Sequence, residues 1–85
     1  MILVELYSKN DCHLCDVAKN VILKVKKSYP FKFREIKIQD GDGNYEVFKE
    51  RIPVIYINKQ LAAQYNISEA DLVTKLQQSA EREYS

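Results

Sequence analysis

The sequence lacks long apolar runs, an excess of charge of either sign, and all but two cysteines. No stretch approaches the roughly 20 apolar residues that a membrane span requires. The net charge of +1, from 13 basic and 12 acidic residues, predicts neither nucleic acid nor an anionic membrane as a partner. No repeat, linker or low-complexity stretch interrupts the 85 residues, which suit one domain.

The beginning of the chain does not resemble a targeting segment. Residues 1–6 are apolar apart from Glu5, but they are too short for a signal peptide and lack its basic start and small-residue cleavage site. We therefore expect a cytoplasmic monomer. Its single domain is predicted to span residues 1–80, and residues 81–85 are predicted to form a frayed tail.

The spacing of apolar residues predicts seven secondary-structure elements. Residues 1–8 predict a strand buried on both faces, and helical spacing from Leu14 to Val25 predicts a helix that ends before Pro30. Residues 31–38 predict a strand at a sheet edge or with a bulge, because their apolar set changes phase. The other predictions are a short helix over 44–50, strands over 54–58 and 61–65 joined by a turn at Asn58-Lys59, and a last helix capped by Ser68. The predicted fold class is α/β, in the order β-α-β-α-β-β-α, with a four-stranded mixed sheet and three helices.

The two cysteines, Cys12 and Cys15, carry the functional hypothesis. A disulfide that closes so small a ring removes little entropy from the unfolded chain, which argues against a purely structural role. In a reducing cytosol such a pair is typically catalytic or metal-binding. Both cysteines lie where a strand gives way to a helix, whose first N–H groups carry partial positive charge. This position should lower the pKa of the Cys12 thiol, so Cys12 is the predicted attacking thiol and Cys15 the resolving thiol.

Three neighbours of the cysteine pair have more than one interpretation. A protonated His13 would add positive charge beside the thiolate, or the ring projects into solvent. Pro53 belongs at the beginning of a strand, since proline cannot donate to a sheet, and it would there approach the start of the first helix. Glu5 either accepts a proton from Cys15 or is a satisfied structural carboxylate.

The segments around Cys12 and Pro53 together resemble glutaredoxins, a branch of the thioredoxin superfamily. Residues 5–19 are similar to the glutaredoxin opening, in which a strand and a Tyr-Thr-Lys step lead to Cys-Pro-Tyr-Cys and a helix. Residues 51–58 are similar to the segment of that family that contains Thr-Val-Pro. The likeness covers nearly the whole chain and implies a thioredoxin fold with sheet order 2-1-3-4.

The resemblance also implies a role for individual residues. It makes Cys12 the nucleophile and Cys15 its resolver, and it places a cis peptide bond before Pro53. Ile52 would supply main-chain hydrogen bonds to the substrate. Lys9 matches the basic residue that contacts the glutathione carboxylate, the alternative being an ordinary solvated lysine. His13 joins Lys9, Ile52 and Pro53 as a candidate for substrate or glutathione binding.

Three departures from the glutaredoxin pattern bear on glutathione. His13-Leu14 replaces Pro-Tyr between the cysteines, and Ile52 before the proline is more typical of thioredoxins. Residues 62–68 contain no glycine, whereas glutaredoxins carry a Gly-Gly-x-Asp type of segment there. The sequence therefore leaves glutathione use open: it is a possible co-substrate, and no tightly bound cofactor is predicted.

The predicted function is a thiol–disulfide oxidoreductase that reduces protein or glutathione mixed disulfides through Cys12 and Cys15. Its partners would be a disulfide-containing protein or small molecule and an upstream reductant, either glutathione or a thioredoxin-reductase-like enzyme. One alternative is a non-enzymatic binding module of the same fold, since the glycines after Leu61 are missing. Another is a metal or iron–sulfur carrier. No metal site is predicted, because Cys12, His13 and Cys15 are too close in sequence to surround one ion.

Overall fold

Strands and helices alternate in the order that the apolar pattern predicts. The computed structural model describes residues 1–39, 41 and 43–84, excluding the side chains of residues 44 and 82–84. Its elements are β1 (Leu3–Ser8), α1 (His13–Lys26), β2 (Lys32–Lys37), α2 (Gly43–Phe48), β3 (Val54–Ile57), β4 (Gln60–Gln64) and α3 (Glu69–Tyr84). The sheet order is β2-β1-β3-β4, with β1 parallel to β2 and antiparallel to β3. The predicted fold class, element order and sheet order are confirmed.

The sheet carries one apolar cluster on each face. The larger cluster packs α1 and α3 against β1 and β3 because apolar residues recur every three or four positions along both helices. Its fully buried members are Val4, Leu6, Ala18, Ile22, Ile55, Leu72 and Leu76. The smaller cluster lies beneath α2 and comprises Cys15, Ile38, Phe48, Ile52 and Val54. The smaller cluster therefore joins the cysteine pair to the beginning of β3.

The two outer strands show where the predicted irregularities occur. β2 is an edge strand. The residues at its two ends pack on opposite faces of the sheet, because Phe31 is buried in the larger cluster and Ile38 in the smaller. This change of face accounts for the phase change in the apolar pattern. A register shift occurs instead between β3 and β4, at Ile55 and Tyr56. Of the two explanations offered for β2, the edge position applies.

The last helix is longer than the sequence predicts. α3 continues through Tyr84, whereas the pattern predicts a frayed tail from Glu81. Ala80 still packs against the larger cluster, and a helix can continue beyond the residues that pack. Ser85, the last residue of the predicted tail, lies outside the described residues. Within the described part of the chain, no helix is both long and apolar enough to cross a membrane.

The predicted turn at Asn58-Lys59 joins β3 to β4 as a two-residue hairpin. Both residues have positive φ, 50° and 67°, which is the signature of the type I′ turns that suit twisted hairpins. The Asn58 side chain accepts a hydrogen bond from the N–H of Leu3 at 2.9 Å, and the Asn58 N–H donates to the Leu3 carbonyl at 2.8 Å. These bonds fix the turn against the beginning of β1.

Beside this turn, Glu5 is a buried carboxylate held by two cations. Its side chain is 4% exposed. Arg34 of β2 lies 3.2 Å from one carboxylate oxygen and Lys59 lies 3.0 Å from the other. Burying a carboxylate costs free energy unless it is paired and hydrogen-bonded. The contacts support the interpretation of Glu5 as a satisfied structural carboxylate.

Candidate active site

α1 begins at the first cysteine. Cys12 has extended backbone angles, φ −114° and ψ 103°, and is the N-cap residue. Its Sγ accepts a hydrogen bond from the N–H of Cys15 at 3.2 Å, and its carbonyl accepts from the N–H of Asp16 at 3.1 Å. An N-cap side chain that satisfies a free N–H is usually an oxygen, and here it is a sulfur. The sulfur of Cys12 thus lies at the positive end of the helix.

The two cysteines form a disulfide and differ in accessibility. Their Cα atoms are 5.2 Å apart. Cys15 is 2% exposed and packs in the smaller cluster, whereas Cys12 is only partly buried. A second molecule can therefore reach the sulfur of Cys12 more readily than that of Cys15.

The beginning of β3 meets the cysteine pair. Pro53 is fully buried and the Ile52–Pro53 peptide bond is cis. Ile52 and Val54 belong to the smaller cluster together with Cys15, and Cys12 packs against that cluster. The structure therefore brings together the two segments that the sequence singles out, although about 40 residues separate them.

The backbone of Ile52 is partly committed within the protein. Its N–H donates to the carbonyl of Phe48 at 3.1 Å, and the N–H of Arg51 donates to the same carbonyl at 2.8 Å. Both bonds cap the end of α2, whose last carbonyls would otherwise lack partners. The resemblance suggests that the Ile52 main chain serves the substrate, but this N–H already has an internal partner.

Three aromatic rings support the site on the side of α2. The ring centroids of Tyr7 and Phe48 are 4.6 Å apart, and Tyr56 meets Tyr7 at 5.7 Å and Phe48 at 6.2 Å. Such tilted and edge-on contacts stabilise beyond simple burial. The trio holds α2 on the sheet and so fixes the Phe48 carbonyl that engages Ile52.

A polar cluster ties the end of β1 to β2 and α1. The buried Ser8 hydroxyl donates to Glu35 at 3.1 Å, and Lys19 donates to the other Glu35 oxygen at 3.1 Å. Burial alone raises the pKa of Glu35. The hydrogen bonds from Lys19 and Ser8, with the charges of Lys19 and Lys37, outweigh that effect and hold the pKa below its usual value of 4.5. Sequence reasoning missed this cluster, because no pattern reveals which exposed lysine meets which strand.

The two basic candidates, Lys9 and His13, flank Cys12 along the chain. Lys9 is partly buried in the loop after β1, and His13 is exposed as the first residue of α1. An exposed ring fits the solvent-facing interpretation of His13. A contact of either residue with substrate stays a prediction.

Tyr65, immediately after β4, is a site residue that the sequence does not reveal. Its N–H donates to the carbonyls of Arg51 at 3.2 Å and Pro53 at 2.8 Å, yet its φ is +71°. Asp11 and Asn58 also have positive φ, but these residue types tolerate it; Tyr65 does not, and the conformation costs about 1 kcal/mol. A glycine would have been the signal for such a backbone, and none is present.

Among the residues described, no group of three or more His, Cys, Asp or Glu side chains is placed to hold a metal ion.

Comparisons with known proteins agree with this geometry. Residues 3–77 match the family model described as Glutaredoxin-like domain (DUF836). The protein XcR50 of X. campestris has a similar structure, with a TM-score of 0.74 at 23% identity over 87% of this chain and 95% of that one. Thioredoxin 1 of the thermophilic eubacterium Thermosipho africanus gives 0.68 at 14% identity, over 98% and 99% of the two chains. Glutaredoxin 1 of Francisella tularensis, solved with cacodylate, gives 0.55 at 18% identity, over 95% and 99%.

The structural likenesses establish the shared thioredoxin fold and no more, because all three identities are low. The family match extends over most of the chain and includes the Cys12–Cys15 pair and the start of β3. The chain belongs to the glutaredoxin-like domain family.

Proposed function

We propose that the protein is a thiol–disulfide oxidoreductase that reduces protein or glutathione mixed disulfides with Cys12 and Cys15. One observation carries the proposal: Cys12, the less buried of the two cysteines, caps a helix and is bonded to a buried partner one turn later. A family match that suggests redox activity supports it.

The reduced protein would transfer two electrons in two exchange steps. The Cys12 thiolate attacks a substrate disulfide, a bond forms between its Sγ and one substrate sulfur, and the other leaves as a thiolate that takes a proton from water. Cys15 then loses its proton to solvent and attacks Sγ of Cys12, which releases the reduced substrate thiolate. The protein ends as the Cys12–Cys15 disulfide. A dithiol protein or two glutathione molecules would restore it, and neither needs a tightly bound cofactor.

The helix start favours the thiolate form of Cys12. The N–H of Cys15 points at Sγ from 3.2 Å, and the dipole of the 14-residue α1 adds to this attraction. A thiolate so placed attacks at neutral pH, where an ordinary thiol is mostly protonated. The burial of Cys15 delays its own reaction until a mixed disulfide has formed next to it.

Substrate would lie across Ile52, Lys9 and His13. The Ile52 carbonyl is the backbone group that we assign to the substrate, because its N–H is bonded to Phe48. Lys9 and His13 would meet the anionic groups of glutathione when it acts as co-substrate. The protein would act as a monomer in the cytoplasm. The reducing conditions there favour the opening of the Cys12–Cys15 disulfide, which each catalytic cycle requires.

Two measurements test the proposal. The first is the rate of iodoacetamide alkylation of Cys12 against pH in the Cys15→Ser protein, where we expect half-maximal reactivity well below about 8.5, the value of a free thiol. The second is reduction of insulin and of a glutathione mixed disulfide, which Cys12→Ser should abolish.

Each outcome separates an enzyme from a binding module. Ordinary thiol reactivity together with no turnover by the wild-type protein refutes the oxidoreductase. Equal binding of a protein partner by wild type and Cys12→Ser, with no turnover in either, identifies a module that has kept the fold.

A further inference from the structure

Tyr65 is fastened to the segment that we assign to the substrate. Its backbone N–H donates to the carbonyls of Arg51 and Pro53, the two residues that flank Ile52 in the chain. Since Ile52 packs in the cluster that Cys12 contacts, the backbone of Tyr65 lies beside the proposed path of the substrate. The position is set by backbone bonds and so does not depend on a flexible side chain.

Two hydrogen bonds to another loop hold Tyr65 at positive φ, although its residue type does not favour that conformation. The hairpin turn explains the positive φ of Lys59, but Tyr65 follows a strand and leads into the segment before α3. Glycine would adopt φ +71° without strain and would keep the same N–H. Strained residues cluster at functional sites, and keeping a side chain where glycine would relieve the strain points to a role of that side chain.

The side chain of Tyr65 is 51% exposed, and its backbone is hydrogen-bonded to Pro53. Leu14, between the two cysteines, is 51% exposed, and Val17, on the next turn of α1, is 42% exposed. Apolar groups exposed beside a reactive sulfur fit apolar side chains of a second molecule. Glutathione has no large apolar side chain to offer them.

The charges next to Cys12 give glutathione little advantage. Lys9 precedes the site, but the exposed Asp11 and Asp16 lie on either side of Cys12 in sequence. An anionic tripeptide would meet acidic as well as basic groups there, so attraction by charge does not select it.

We propose that Tyr65 is a specificity-determining residue that makes this site prefer an extended polypeptide disulfide, with an apolar residue beside the cysteine, over a glutathione mixed disulfide. Its ring would contact that apolar residue while the Ile52 carbonyl binds the substrate backbone. The ring would also occupy the space that glutathione needs next to Pro53. The proposal rests on the oxidoreductase function and adds the substrate class to it.

The experiment compares Tyr65→Gly with wild type on two substrates, using dithiothreitol as the reductant for both. One substrate is insulin, and the other is the mixed disulfide of glutathione and mercaptoethanol. We expect Tyr65→Gly to raise KM for insulin about tenfold with little change in kcat, the scale of one lost aromatic contact. Its kcat/KM for the glutathione substrate should rise about threefold, because removing the ring opens the space beside Pro53.

Two further variants keep the comparison interpretable. Tyr65→Asn removes the ring with a residue type that tolerates positive φ, so it replaces Tyr65→Gly if that variant folds poorly. Leu61→Ala is the matched control, because Leu61 is 50% exposed on β4 but near its other end. It should leave both substrates unchanged.

The outcomes distinguish this proposal from the function on which it rests. If the wild type is active and neither Tyr65→Gly nor Tyr65→Asn changes its preference between the two substrates, only the specificity-determining role of Tyr65 is overturned. If the wild type is inactive on both substrates, the oxidoreductase function is overturned, and the specificity-determining role of Tyr65 with it. An equal shift of preference in Leu61→Ala shows a general effect of the strand and also overturns the role of Tyr65.

Discussion

The two ends of β1 differ in whether their charged and reactive side chains have partners within the protein. The hairpin end comprises Leu3, Glu5, Arg34, Asn58 and Lys59. The cysteine end comprises Ser8, Cys12, Cys15, Ile52, Pro53 and Tyr65. At the hairpin end the buried charge is paired and the strained backbone belongs to a turn that requires it. At the cysteine end Cys12 is only partly buried, and Tyr65 has positive φ outside a hairpin turn. In the proposed function, the hairpin end serves stability and the cysteine end keeps its groups available for a second molecule.

The largest expected effect is at the cysteine end, in Cys15→Ala. Without the resolving thiol, the mixed disulfide on Cys12 persists, so multiple turnover of a polypeptide disulfide should fall at least about a hundredfold. A single turnover should survive and leave one substrate chain attached to Cys12, as intact mass spectrometry will show. Undiminished multiple turnover would contradict the two-step exchange.

The hairpin end should give the largest loss of stability. Replacing both Arg34 and Lys59 with methionine leaves the Glu5 carboxylate buried without a cation, which should lower the free energy of unfolding by about 3 kcal/mol. Adding Glu5→Met should restore most of this loss, because no charge is then left buried. Urea unfolding at pH 7 measures both steps.

Two controls accompany the methionine variants. Lys24→Gln removes an exposed ion pair with Glu69, with 70% and 50% exposed side chains, and should cost less than about 1 kcal/mol. The activity per folded molecule should not change in any of these variants. A loss of activity per folded molecule in the methionine variants would contradict the proposal that the hairpin end contributes to stability and not to activity.

A smaller effect, which depends on pH, is expected at Glu35. The folded-state pKa of this carboxyl is lowered, so its ion pair stabilises the protein fully above 4.5, its usual value, and the contribution disappears as the pH falls through the lower folded pKa. Glu35→Gln should therefore cost about 1 kcal/mol at pH 7 and progressively less below pH 4.5. Unfolding by urea at several pH values tests this, with the exposed Glu46→Gln as the control. A constant difference across the whole pH range would contradict it.

The smallest effect compares the backbone at both ends. Glycine should be more stable than alanine by about 1 kcal/mol at position 65 and at position 59, since both positions have positive φ. Thermal unfolding of Tyr65→Gly, Tyr65→Ala, Lys59→Gly and Lys59→Ala supplies the two differences. The stability gain should be alike at the two ends, while substrate preference should change only at position 65. A gain at one position alone would show that packing, and not φ, decides stability there.

Much of the fold follows from local patterns in the sequence. The apolar spacing of α1 and the turn type at Asn58-Lys59 depend on neighbouring residues, so both are predictable. Cys12 is placed at a helix start by the polar loop before it and the apolar repeat after it. The approach of the Pro53 segment follows from its place at the beginning of a strand in the predicted sheet, and the family resemblance adds the cis peptide bond.

The missed features depend on contacts between distant residues. Glu5 is readable as buried, but Arg34 and Lys59 as its partners follow only from the strand register and the turn. The internal bond from the Ile52 N–H depends on where α2 ends. The φ of Tyr65 depends on two carbonyls of another loop, and its residue type gives no warning. The sequence therefore predicts the cysteine pair better than it predicts the backbone around Ile52 and Tyr65, where substrate is proposed to bind.

The ring that the two cysteines close lies within a single turn of α1, whose carbonyl at Cys12 and N–H at Asp16 are already bonded. Opening or closing that ring therefore requires no rearrangement of the sheet or of the other helices. Under the proposed function, an electron donor would therefore find little difference in shape between the oxidised and the reduced protein. We expect such a donor to recognise the sulfurs and the residues next to them, so that several donors could compete for this protein and redox potential would decide among them.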